Sequence, residues 1–90
     1  MEIISYIYYV LKMRDMTIKE FYLNKYPNDK VGEELNENAT FVGLLNCLYE
    51  GNDVYEYIGV GDSVIRERLF GNLADLLDKP YEYVYDLWLS

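Results

Sequence analysis

The sequence predicts an all-α fold, a compact small bundle of about five short helices. Three observations point to it. Apolar residues recur at spacings of three and four in one segment after another. Helix-start signals precede those segments, as in Thr17-Ile-Lys-Glu20, Asp53-Val-Tyr-Glu56 and Asp62-Ser63. Glycine or proline follows or opens them, at Pro27, Gly51 and Pro80. At 90 residues the chain is read as a single domain, 1–90. Residues 1–15 have the character of an N-terminal extension, because Met16-Thr-Ile-Lys-Glu20 looks like a natural beginning.

From Met1 to Lys12, residues Ile3, Ile4, Ile7, Val10 and Leu11 keep a helical spacing, although Tyr6-Ile-Tyr-Tyr-Val10 also suits a strand. Thr17-Ile-Lys-Glu20 is a capping box, in which a hydroxyl and a carboxylate satisfy amides that have no intrahelical partner. Ile18, Phe21, Tyr22 and Tyr26 line the inner face of the helix it starts, and Pro27 ends that helix. Residues 27–38 form an acidic loop. Asn38 or Thr40 caps the next helix, whose face is Phe41, Leu44, Leu45, Leu48 and Tyr49, and Gly51 closes it. Asp53 starts a short turn through Tyr57 and Ile58, and Gly59-Val-Gly-Asp-Ser63 is a turn and cap. Asp62 or Ser63 begins a helix with Ile65, Leu69 and Phe70 inward. Gly71 is expected to interrupt it, with Asn72 capping a further short helix that holds Leu73, Leu76 and Leu77. Asp78-Lys-Pro80 is the last turn, with Pro80 suited to a first helical position, and the final helix runs from Tyr81 to Leu89. The alternative is α+β, because Val54–Ile58 and Tyr81–Leu89 also alternate with period two and are rich in tyrosine.

The net charge is −8, from 16 acids and 8 bases, and it is unevenly spread. Residues 1–30 hold four acids and five bases, whereas residues 31–90 hold twelve acids and three bases. No base occurs from Val31 to Ile65. Such a field repels phosphate and anionic membranes and attracts cationic surfaces. Direct binding of nucleic acid or membrane is therefore not expected, and a basic protein surface is the expected partner. There is no histidine, and Cys47 has no imidazole to activate it. The chain is accordingly read as non-enzymatic, without cofactor or metal. Glu33, Glu34 and Glu37 do not follow a calcium-loop spacing and are read as solvated charge. Gly59-Val-Gly61 lacks the Gly-Lys-Ser/Thr of a phosphate loop, and Asp62 would repel phosphate there. A single cysteine gives no internal disulfide, and the run from Ile3 to Leu11 is too short to span a bilayer. The expected location is the cytoplasm.

Residues 63–89 resemble the helix-turn-helix of repressor-like families. The resemblance rests on Leu73, Ala74, Leu77, Val84 and Leu87; Asp78 stands where those families commonly place a turn glycine. It implies a tri-helical unit in which the second helix presents its outer face to a ligand. On a helical wheel Val84, Leu87 and Trp88 point inward, while Glu82 and Asp86 point outward between Tyr83 and Tyr85. That face carries the charge of nucleic acid and cannot bind it. In size and charge the chain also resembles the small acidic proteins that phages and mobile elements use against host defence, including anti-CRISPR proteins and other DNA mimics. This likeness implies an inhibitor whose carboxylates take the place of phosphates. The expected partner-binding residues are Glu82, Asp86, Tyr83 and Tyr85, then Glu50, Asp53, Glu56 and Asp62. The alternative is a helix-turn-helix-derived interaction or regulatory module, adaptor or antitoxin-like. The eleven tyrosines make a homodimer a further expectation.

Overall fold

The computed structural model describes residues 16–90. The expected helix over Met1–Lys12, and the role of residues 1–15, lie outside the described residues. Five α-helices follow in order: α1 (Ile18–Lys25), α2 (Phe41–Glu50), α3 (Val54–Ile58), α4 (Ser63–Leu77) and α5 (Tyr81–Leu89). A 3-10 turn, Gly32–Glu34, lies within the acidic loop between α1 and α2. The described residues contain no strand, and an isolated antiparallel bridge joins Thr17 to Thr40. The all-α expectation therefore holds, and both tyrosine-rich stretches are helical.

The N-cap side chains accept as expected, although among the described residues the Glu20 carboxylate does not close the reciprocal half of the capping box. Thr17 Oγ1 accepts from the Glu20 amide, and Thr40 Oγ1 from the Gly43 amide. Asp53 Oδ1 accepts from the Tyr55 and Glu56 amides, and Asp62 Oδ1 from those of Val64 and Ile65. Each supplies an acceptor to amides that the first helical turn leaves unpaired. Pro80 sits one residue earlier than expected, flanking α5, and contributes its fixed φ without a side-chain cap.

Gly71 does not interrupt α4. The helix runs unbroken from Ser63 to Leu77, so two helices fill residues 63–89. Ile65, Leu69, Phe70, Leu73 and Ala74 form its buried stripe, and burial along that stripe outweighs the ~1 kcal/mol helix cost of a glycine. Asn72 is not a cap: it is buried, and its Oδ1 accepts from Lys25 Nζ of α1 at 3.1 Å.

Helices α2 and α4 end alike. After α2, Gly51 adopts φ 71° and the Asn52 amide bonds back to the Cys47 carbonyl at 3.0 Å. After α4, Asp78 adopts φ 56° and the Lys79 amide bonds back to the Ala74 carbonyl at 3.0 Å. This is the Schellman arrangement, in which a left-handed residue lets the next amide satisfy the last turn. Asp78 thus adopts the left-handed conformation that glycine most often takes, as short polar side chains can.

One core joins all five helices. It includes Ile18 and Tyr22 of α1, Phe41, Leu44 and Leu48 of α2, Val54 and Ile58 of α3, the α4 stripe and Val84 of α5. The described tyrosines grade from Tyr22, fully buried, to Tyr49, 58% exposed, with six half-buried between them. Among the described residues no helix is long and apolar enough to cross a membrane.

Candidate functional site

The Schellman turn after α2 is followed at once by the Asp53 cap of α3, so a short connection brings two helix ends together. An open groove of about 470 Å³ lies there. Its walls include Asn46, Cys47, Glu50, Asn52, Asp53, Glu56 and Tyr57, and no base lines it. Three of the eight residues expected from sequence, Glu50, Asp53 and Glu56, are thereby brought to one concavity. Two of them also serve the backbone or a neighbour. Asp53 caps α3, and Glu50 Oε1 accepts from Asn52 Nδ2 at 3.0 Å. A second depression of about 290 Å³ shares Asn52 and Asp53 with the groove and extends to Leu48, Trp88 and Ser90.

The other five are placed differently. Glu82 and Asp86 are exposed on α5 and line neither depression. Asp62 is half-buried with one oxygen engaged by two amides, so its first task is to cap α4. Tyr83 is half-buried, and its hydroxyl lies 2.9 Å from that of Tyr49 on α2, with Lys79 Nζ 5.3 Å from its ring centre. Tyr85 stacks on Tyr81 at 5.8 Å and meets Trp88 edge-on at 5.5 Å. Tyr83 therefore ties α5 to α2, while Tyr85 packs against aromatic neighbours on α5 itself, and both are half-buried. Val84 is buried and Leu87 and Trp88 are half-buried, which agrees with the inward side of the wheel.

Four of the six cations of the described residues turn inward or pair locally, while Lys30 and Lys79 are exposed. Lys19 reaches Glu37 at 3.8 Å, and Lys25 binds Asn72. Arg68 Nη1 donates to the Tyr22 hydroxyl at 2.8 Å and meets Asp29 Oδ2 at 3.4 Å. Tyr22 in turn donates to Asp29, which holds that carboxyl below the usual carboxylate range, with the Gly32 and Val31 amides and Arg68 adding to the effect. Arg66 Nη1 donates to the Tyr55 hydroxyl at 2.6 Å, and its guanidinium lies over Trp88 at 4.1 Å. Sequence reasoning missed both arginine centres. The available signal was the placement of two of the three bases of residues 31–90 at Arg66 and Arg68, a spacing that puts them on opposite sides of a helix.

The Cys47 thiol is buried and donates to the Asn52 carbonyl at 3.5 Å. Burial raises its pKa first, and the Asp53 and Glu50 carboxylates raise it further, which makes it a poor nucleophile. Among the described residues no three carboxylates or thiols come close enough together to hold a metal ion. The groove can offer carboxylates and amide oxygens to a cationic group, held on helix ends that their own caps fix in place. No family model matches this chain, and comparison with curated proteins and with solved structures found no match.

Proposed function

We propose that this chain is a non-enzymatic acidic inhibitor, of the anti-CRISPR or DNA-mimic type, that occupies a basic nucleic-acid-binding surface of a target protein. The observation that carries the reading is the division of charge. Arg66, Arg68, Lys19 and Lys25, four of the six cations of the described residues, have partners within the fold, while Glu50, Asp53 and Glu56 line a groove without a base. Carboxylates on capped helices are pre-placed, so little ordering cost is incurred when Lys or Arg side chains meet them. Glu82 and Asp86 extend the same charge along the exposed side of α5. Cytoplasmic action on such a target needs no cofactor.

The test is competition with nucleic acid. A partner captured from lysate should lose its bound duplex DNA when the protein is added, and the complex should weaken steeply from low to moderate salt. Glu50→Lys with Glu56→Lys should lower affinity by about tenfold or more without loss of helicity, and Glu82→Lys with Asp86→Lys should do the same if α5 belongs to the surface. Inhibition that survives both pairs of reversals rules the reading out.

A second reading, a helix-turn-helix-derived interaction module, is favoured by one observation. The α4–turn–α5 unit keeps a tight connection, Asp78 to Pro80, and a tyrosine-rich helix packed on it. Binding would then rest on apolar and tyrosine contacts, including those of a homodimer, and would tolerate salt.

A further inference from the structure

Arg66 is the first base after a stretch of 35 residues, Val31 to Ile65, that has none. A cation there would be expected among the surrounding carboxylates. Instead, Arg66 is half-buried, and among the described residues it makes no ion pair. From α4 it reaches two other helices at once: Nη1 donates to the Tyr55 hydroxyl of α3 at 2.6 Å, and the guanidinium plane covers the Trp88 ring of α5 at 4.1 Å. Phe70, one turn along α4, has its ring centre 5.9 Å away. Nε is buried without a partner, a cost the site accepts with no salt bridge to offset it. Arginine suits this position because a planar guanidinium can stack by its face while donating from its edge, which an ammonium cannot do.

The two helices it touches carry the carboxylates at issue. Helix α3 has only five residues and buries Val54 and Ile58; Thr40 and Asn36 hold its Tyr57 and Ile58 from one side, and Arg66 links it to α4 from the other. Asp53 caps it and Glu56 lies on it, while α5 presents Glu82 and Asp86. We propose that Arg66 is a positioning residue, a strut through α4 that sets the α3 carboxylates in a fixed relation to those of α5, so that both act as one surface. This rests on the acidic-surface reading above.

The test has two parts. In the first, Tyr55→Phe and Trp88→Phe are made singly and together, in the Arg66 and Arg66→Met backgrounds, and unfolding is followed by denaturant. With Arg66 present the pair should be non-additive by about threefold to tenfold in the unfolding constant. With Arg66→Met the coupling should vanish, and Arg66→Lys, which keeps the charge and a long stem, should also lose it. Coupling that persists in either background, or additivity with Arg66 present, overturns the strut. The second part measures binding of poly-L-lysine at low salt. Arg66→Met makes the protein one charge more negative, so electrostatics alone predicts tighter binding, whereas loss of positioning predicts binding weaker by about threefold. Equal or tighter binding overturns the positioning role. The first part needs no partner, so its failure leaves the acidic-surface reading standing, while inhibition that ignores the carboxylate reversals sinks that reading with the coupling intact.

Discussion

Arg66 and Arg68 leave opposite sides of α4, and the two sides are built differently. On the Arg68 side the anchor is ionic. Tyr22 donates to Asp29, Arg68 donates to both, and the guanidinium lies 4.2 Å from the ring centre of Tyr26. Asp29 Oδ1 also accepts from the Val31 and Gly32 amides, so one carboxylate ties α1, the acidic loop and α4 together. On the Arg66 side the anchor is aromatic, made by Tyr55, Phe70 and Trp88. There the carboxylates Asp53 and Asp62 serve as backbone caps and have no cationic partner among the described residues. One side pairs its acid with a guanidinium, and the other engages its acids with backbone amides and leaves them without a cation among the described residues.

The largest expected break is on the ionic side. A Cβ added to Gly32 would lie 2.6 Å from Cε2 of the buried Tyr22 ring. Gly32→Ala should therefore lower stability by about 1–3 kcal/mol through overpacking, read as a lower urea midpoint with unchanged slope. Arg68→Met should come next, lowering the midpoint because Tyr22 and Asp29 lose their shared donor. The acid limb sharpens the contrast further. The folded pKa of Asp29 is depressed, chiefly by the Tyr22 hydrogen bond. Its stabilisation is complete above the ordinary carboxylate range and fades as pH falls through the lower folded value. Asp29→Asn should flatten that part of a pH–stability curve.

Two smaller effects go the other way. Gly71 has open space where a Cβ would stand and lies inside α4. Gly71→Ala should raise stability by ~0.5–1 kcal/mol through helix propensity alone, seen as a higher melting temperature. Asp78→Gly should add about 0.5 kcal/mol or less by relieving the left-handed conformation. A loss of stability in either variant would mean that the side chain, or the absence of one, has a contact role there.

The pattern of legibility follows from the range of the interactions. Thr17, Asp53 and Gly51 could be read from sequence because caps and left-handed turns act over three or four residues. Asp62 was one of two candidates for the α4 cap, as Thr40 was for α2. Gly71 misled because local propensity favours a break that burial of Leu69, Phe70 and Leu73 overrides. Asp78 closes α4 in the left-handed conformation without a glycine, which its short polar side chain allows and composition alone does not reveal. The tyrosines of α5 were expected at the surface; most of their contacts run to α2 and to one another, which no local pattern reveals. Arg68 binds residues 46 and 39 positions away, and Arg66 binds Tyr55 and Trp88 across two turns. Such long-range partners decide which charges stay exposed, so the groove as a set of three carboxylates emerges only in the fold.

The thiol at the wall of that groove has a practical consequence. Cys47 is buried and bonded to the Asn52 carbonyl at the turn between α2 and α3. Cys47 keeps 5% exposure at the groove wall, so the rate of labelling reports how freely a reagent reaches the thiol through the groove or by opening of the turn. The single cysteine makes this a site-specific probe: slowing of the reaction by an added polycation would report, without any engineered label, that the groove had been covered.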